Sequence, residues 1–244
     1  MATGHVSALI LAAGRGKRLR PYTDATPKPL LPVRGRRLCD WQLAALKRAG
    51  VTDVVMNTAH LADAFEALPA ELAARGLSLA LSREGGSEAD ALESLGGVVK
   101  ALPLLTRRDP QAPFIVAAGD VVHGYDFRRL LARAGDVRAG AVDGHLVAVP
   151  NPPYHPQGDM TVGEDGRIAP GPGPHTYGCL MIVSPRIFAG VPCARAPLFP
   201  WLWRLAERGR LTAEVFGGFW ANVGSPADYE ALQADEAALA WADF

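Results

Sequence analysis

Between Leu11 and Val33, two glycines (Gly14 and Gly16) sit among Arg15, Lys17, Arg18, Arg20 and Lys28, with Asp24 as the single acidic residue. Crowded like charges repel by about 1 kcal/mol per close pair even in water, so the stretch is built to meet an anion. Glycine lets main-chain N–H groups approach phosphate oxygens closely, and the cations supply the neutralising charge, a combination suited to a polyphosphate. The apolar run from Val6 to Ala13 just before it predicts a buried strand. Two commoner phosphate loops fit poorly. A dinucleotide loop needs glycine where Leu19 stands, and a Walker loop needs Ser or Thr where Arg18 stands.

The order of elements predicts the fold class. Helical spacing from Leu38 to Ala49 stops at Gly50, and Val51 to Met56 reads as the next strand. A helix is predicted over Leu61 to Ala74, a strand over Leu77 to Ser82, a helix over Leu92 to Leu105 and a buried strand over Phe114 to Ala118. This is the alternation of a parallel sheet with helices on both faces. After about residue 135 the texture changes. Short strands at Leu146 to Val149, Met160 to Val162 and Tyr177 to Val183 read as antiparallel additions, with a hairpin turn at Gly163 to Gly166. Ala169 to Pro174 reads as loop, and Leu198 to Arg208 and Pro226 to Trp241 read as amphipathic helices, the first offering Trp201, Leu202, Trp203 and Leu205 as a packing surface. The expectation is one domain over residues 1–244, an α/β three-layer αβα Rossmann-like mixed sheet. Residues 1–135 would form a mostly parallel half, and 136–244 a half with antiparallel additions and a closing helix.

Composition narrows the partners. With 25 Lys+Arg against 25 Asp+Glu there is no overall positive field to hold a nucleic acid or an anionic membrane. No apolar run approaches the roughly 20 residues of a membrane helix. The N-terminal apolar run lacks the basic region and cleavage pattern of a secretion signal, so a cytoplasmic location is expected. Cys39, Cys179 and Cys193 share no metal-type spacing and read as isolated thiols. Asp120, just after the strand Phe114 to Ala118, lies at a carboxyl edge where open α/β sheets bind ligands, and is the best magnesium ligand in the chain.

The segment from Leu11 to Val33 resembles the signature of the sugar-1-phosphate nucleotidyltransferases, L-A-A-G-x-G-x-R-L-x-P-x-T-x-x-x-P-K-P-L-x-P-V, and meets every fixed position. Within that family, Leu92-Glu-Ser-Leu-Gly-Gly, Ala101-Leu-Pro-Leu-Leu, the stretch Asn151 to Asp159 and Trp220-Ala-Asn-Val-Gly look closest to the N-acetylmuramate-1-phosphate uridylyltransferases. The resemblance implies an enzyme that transfers a nucleotide from an NTP to a sugar-1-phosphate and releases pyrophosphate, with UTP and a muramate-like acceptor favoured and mannose-1-phosphate guanylyltransferase as the alternative. It implies that Leu11, Ala12, Ala13, Gly14, Arg15, Gly16, Lys17 and Gly96 bind the nucleotide and that Arg18, Lys28 and Asp120 carry the chemistry. Mg²⁺ would be held by Asp120 and Asn222, and the sugar by Asn151, Gly158, Asp159, Tyr177 and Gly178, in a monomer or small homo-oligomer.

Two positions depart from the family pattern. Asn222 stands where relatives place an aspartate, which reduces the charge offered to a divalent ion. Leu95 stands where relatives carry a glycine against the ligand, so its bulk is expected to narrow the pocket. A nucleotide-binding protein with degraded catalysis is the reading from another class that these departures allow.

Overall fold

The computed structural model describes residues 5–85 and 90–234. In chain order its strands are β1 (Ser7–Leu11), β2 (Pro32–Val33), β3 (Arg36–Arg37), β4 (Asp53–Thr58), β5 (Ser78–Arg83), β6 (Phe114–Ala118), β7 (Val121–His123), β8 (Gly144–Pro150), β9 (Met160–Val162), β10 (Ile168–Pro170), β11 (His175–Val183), β12 (Leu211–Val215) and β13 (Trp220–Asn222). Its helices are α1 (Leu38–Arg48), α2 (Leu68–Ala73), α3 (Glu93–Leu105), α4 (Arg128–Ala132), α5 (Ala134–Ala139), α6 (Trp201–Glu207) and α7 (Pro226–Ala234).

One nine-stranded sheet organises the chain. Its main path runs β10-β9-β11-β6-β1-β4-β5, and β8 and β12 branch from β11. Strands β6, β1, β4 and β5 are parallel neighbours, and β11 joins β6 antiparallel. Both faces of the sheet are covered, so β1, β4 and β6 are buried along nearly all their length. Cys39, Leu43 and Leu46 of α1, Leu68 and Leu72 of α2, Leu130 of α4 and Val137 of α5 pack in one cluster. Val98, Ala101 and Leu105 of α3, with Leu202 and Ala206 of α6, pack in the other. A third, smaller core gathers Leu19, Leu31, Val33, Trp41, Val122, Val223, Tyr229 and Leu232, clamping the basic loop between α1 and α7.

The αβα expectation holds, and three local readings change. The helix expected over Leu61 to Ala74 is a 3₁₀ turn at Ala62–Phe65 followed by α2, because Pro69 lacks an N–H and is accepted only in the first turn of a new helix. Residues 169 and 170, read as loop, lie in β10, where an edge strand tolerates Pro170. The additions after residue 135 are not all antiparallel: β12, which has no counterpart in the sequence reading, runs parallel to β8. The last helix is described from Pro226 to Ala234; the remainder of the expected span to Trp241 lies outside the described residues. The hairpin turn forms as expected, with Gly163 N–H donating to Arg167 O and Gly166 N–H to Gly163 O.

Asp143 ties the second half together. Its carboxylate accepts from Arg186 Nε at 2.7 Å and from Arg210 Nε at 2.8 Å, and these bonds, Arg210 foremost, hold its pKa below the usual range against the opposing effect of burial. A carboxyl whose folded pKa is depressed contributes stability above its unfolded value and loses it as pH falls through the folded one. Replacing Asp143 by Asn is expected to cost about 2 kcal/mol at pH 7, less than for a fully buried pair because both guanidiniums are partly exposed. Urea unfolding of the two proteins should show that gap closing as pH falls below about 4.

Candidate active site

The site begins where β1 ends. Asn57, in register with Leu11 on the neighbouring strand, accepts the Ala12 N–H on Oδ1 at 2.8 Å and donates from Nδ2 to Glu84 at 2.6 Å. Glu84 in turn accepts the Leu92 N–H at 2.7 Å, just before α3. Burial is the main cause that raises the Glu84 pKa above the usual carboxylate range. A Cβ at Gly97 would stand 2.5 Å from Glu84 Oε1 and 2.6 Å from Asn57 Nδ2, so α3 approaches this strut only because residue 97 has no side chain. Sequence reasoning missed all three residues. The available signal was a polar residue in line with the end of β1, at the carboxyl end of an otherwise apolar strand.

Beyond Ala12 the chain lines a cleft of about 440 Å³. Its walls include Leu11, Ala13, Gly14, Arg15, Gly16 and Lys17 on one side, Asp120 beyond the end of β6, and Ala91, Glu93, Ser94 and Arg195 at the far end. A Cβ at Gly14 would meet nothing within 4 Å, whereas one at Gly16, where φ is +62°, would press on Thr23 at 2.8 Å. Thr23 fixes this turn by donating its hydroxyl to Gly16 O at 2.9 Å. An adjoining cavity of about 200 Å³ is lined by Gly14, Gly16, Lys17, Arg18, Lys28, Asp120 and Gly224. The expected Arg18, Lys28 and Asp120 are therefore brought together, and Lys28 Nζ donates to Asp120 Oδ2 at 2.6 Å.

Asn222 arrives beside this pair on β13, in register with Val121, while Val223 N–H donates to Asp120 O. Its Oδ1 is buried with no hydrogen-bond partner among the described residues, a carbonyl oxygen left for a donor or a cation. Asp120 and Asn222 thus offer one carboxylate and one amide oxygen, the hard ligands that Mg²⁺ accepts alongside phosphate and water. Tyr154, 58% exposed, reaches the same place. Its phenol is pushed above the usual range chiefly by partial burial and then by nearby negative groups, with contact from the Asn222 amide acting the other way. Cys179, at φ +61° in the bulge of β11, has its thiol pushed up to about 12, first by burial and then by the charge of Asp120. A thiol held protonated in this way is not a nucleophile.

Several expected ligands turn inward instead. Gly96 does not line the cleft; a Cβ there would lie 2.2 Å from Ala194 O, so this glycine admits the segment that carries Arg195. Leu95 is buried in the core shared by α3 and α6 and does not narrow the pocket. Glu93 is the residue of that motif that both faces the cleft and takes the left-handed backbone, φ +57°. Asn151 uses its amide on Pro156 O, Gly173 O and the Thr176 hydroxyl, and its contact at Gly158 leaves no room for a Cβ there. Asp159 is held by His155 and by the Tyr177 N–H, the Tyr177 ring packs on Phe199, and Gly178 O receives the Trp220 indole N–H. None of Asn151, Asp159, Tyr177 and Gly178 lines either cavity.

Removing the strut tests its role. Asn57→Ala leaves the Ala12 N–H and the Glu84 carboxylate without their partner in a buried setting, for an expected loss of about 1–3 kcal/mol in chemical denaturation.

Comparison with known proteins agrees with this geometry. Residues 7–170 match the nucleotidyl transferase family. The chain is 37% identical to an N-acetylmuramate alpha-1-phosphate uridylyltransferase of Neisseria meningitidis, over 94% of this chain and 97% of that one. It is 34% identical to the protein of the same name from Caulobacter vibrioides, over 96% of each, and 29% identical to a mannose-1-phosphate guanylyltransferase of Mycobacterium tuberculosis, over 96% of this chain and 66% of that one. A Bacillus anthracis structure described as a glucose-1-phosphate thymidylyltransferase, solved with sucrose, shares the fold with a TM-score of 0.77 at 17% identity, covering 98% of this chain and 96% of that one. The loop signature, the strand-edge cleft and these matches agree that the chain belongs to the nucleotidyl transferase family, as one of its sugar-1-phosphate nucleotidyltransferases.

Proposed function

We propose that the chain transfers UMP from UTP to N-acetylmuramate-1-phosphate. The observation that carries the chemistry is the pairing of Lys28 with Asp120 between two cavities that share Gly14, Gly16 and Lys17. The choice of uridylate and muramate is supported by the 37% and 34% identities over nearly the full chain.

In this reading an oxygen of the sugar phosphate attacks the α-phosphorus of UTP, a new P–O bond forms, the bond to the β-phosphate oxygen breaks, and pyrophosphate leaves. Little covalent work falls to the protein, so positioning and charge placement supply the rate. The backbone from Ala13 to Gly16 holds the triphosphate. Arg18, exposed beside Gly224 and without an ion pair among the described residues, neutralises charge developing on the leaving β- and γ-phosphates. Lys28, 11% exposed, meets the α-phosphate or the incoming sugar phosphate at the boundary of the two cavities. A divalent ion, Mg²⁺ in this reading, held by the Asp120 carboxylate and the Asn222 carbonyl oxygen, would supply further charge neutralisation on the phosphates.

Pyrophosphate release from each NTP with a panel of sugar-1-phosphates tests the assignment. The fastest pair should be UTP with N-acetylmuramate-1-phosphate; GTP with mannose-1-phosphate as the fastest pair would establish the guanylyl alternative instead. Arg18→Ala and Lys28→Ala should each lower kcat by roughly 10²-fold, and an unchanged kcat would remove the role assigned to that cation. In the same assay Asn222→Asp should lower the Mg²⁺ concentration giving half-maximal rate, since a second carboxylate restores the missing charge.

A further inference from the structure

At the end of the cleft away from Arg18 and Lys28, side chains with spare hydrogen-bonding capacity are few. Asn57 is spent on Ala12 and Glu84, and the Ser94 hydroxyl accepts the Leu198 N–H at 2.8 Å. Glu93 and Arg195 remain, paired through Arg195 Nε and Glu93 Oε1 at 3.2 Å, each still about half exposed on the cleft wall. Four of the five guanidinium N–H bonds and the second carboxylate oxygen lie outside that one contact. Glu93 holds its place at φ +57°, a left-handed backbone that non-glycine residues rarely adopt and that persists where the surroundings enforce it. The surroundings are explicit: Ala196 N–H donates to Leu92 O, and Ala196 O accepts Leu95 N–H, locking the Arg195 segment to the start of α3.

With Arg18 and Lys28 on the adjoining cavity to take the phosphates, the part of the cleft lined by Glu93 and Arg195 is the space left for the base of a triphosphate seated on residues 13–17. An ionised carboxylate only accepts hydrogen bonds and a guanidinium only donates them. Uracil and guanine carry an N–H on the ring nitrogen of their pairing edge, flanked by a carbonyl. Cytosine and adenine carry a lone pair at that nitrogen, so a carboxylate in line with it finds no donor there and reaches only the amino group beside it.

We propose that Glu93, aligned by Arg195, is a specificity-determining residue that selects triphosphates whose base presents a ring N–H beside a carbonyl. The proposal rests on the nucleotidyl-transfer reading and extends it from the phosphates to the base. UTP and CTP, equal in size and differing at that edge, make the decisive comparison. Glu93→Gln keeps the shape and gains a donor, so the ratio of kcat/KM for UTP over CTP should fall at least ten-fold. Glu93→Gly removes the group and suits the backbone, so the same ratio should fall while Tm rises by a few degrees. Ratios within two-fold of the parent in both variants, with Tm raised in the glycine variant, would overturn the proposal and leave Glu93 a structural residue. Should the parent protein prefer GTP, the uridylyl assignment fails but GTP against ATP decides the same question about Glu93. Should it release no pyrophosphate from any NTP, the transfer reading fails, and calorimetric affinities for UTP and CTP in the same three proteins still decide Glu93.

Discussion

Leu19, Leu31 and Val33 are buried within a stretch that carries five cations and one carboxylate, and this apolar anchoring is the constraint on which the site depends. Each such side chain contributes about 1.5–3 kcal/mol on full burial, against roughly 1 kcal/mol for each close pair of like charges. The anchors therefore outweigh the repulsion, and the loop can hold its cations along one surface before any anion is present. Their partners come from far along the chain. Trp41 lies on α1, Val122 on β7, and Val223, Tyr229 and Leu232 on and before α7, so the amino-terminal loop is fixed by the last element described. Tyr229 adds a hydrogen bond from its hydroxyl to Pro32 O. The phosphate end of the cleft is thus preorganised by both halves of the molecule.

What the sequence made legible follows from how local each signal is. The loop from Leu11 to Val33 could be read because glycine and cation spacing act within a few residues, and the parallel alternation because each helix or strand shows its period within one window. Gly50 at φ +87°, with Val51 N–H donating to Leu46 O, ends α1 as its position suggested. Contacts between distant segments were not legible. Asn57 and Glu84 are 27 residues apart, and nothing near either one reports that they brace Ala12. Gly96 and Leu95 were misplaced for the same reason. A glycine on a helix can serve a ligand or a neighbouring chain, and only the approach of Ala194 O decides between them. The strained residue of that motif is Glu93, and backbone sign is not visible in a side-chain pattern.

The charge pattern around Asp120 also has a physical logic. Lys28 is largely enclosed, and an unpaired ammonium there would carry a desolvation cost, which Asp120 offsets at 2.6 Å. Asn222 leaves Asp120 as the one carboxylate lining a cavity that also holds Lys17, Arg18 and Lys28. A carboxylate at position 222 would compete with Asp120 for Lys28. The amide avoids that competition, and in exchange offers any divalent ion a weaker electrostatic attraction.

The acceptor side works differently from the phosphate side. Asn151 and Asp159 are polar side chains expected to meet the sugar, yet they bond to Thr176, to His155 and to the loop backbone. They build a rigid proline-rich rim, and the large side chain this rim turns outward near Asn222 and Asp120 is Tyr154. A rim whose hydrogen bonds are internally satisfied gives no hydroxyl a dedicated partner, so it discriminates among sugars by shape and by the face presented to an aromatic ring. Shape discrimination in such a pocket is worth about 10–200-fold, whereas a dedicated buried hydrogen bond reaches 10⁴–10⁵. In the proposed reading, selectivity for the sugar at this rim would fall within the smaller range.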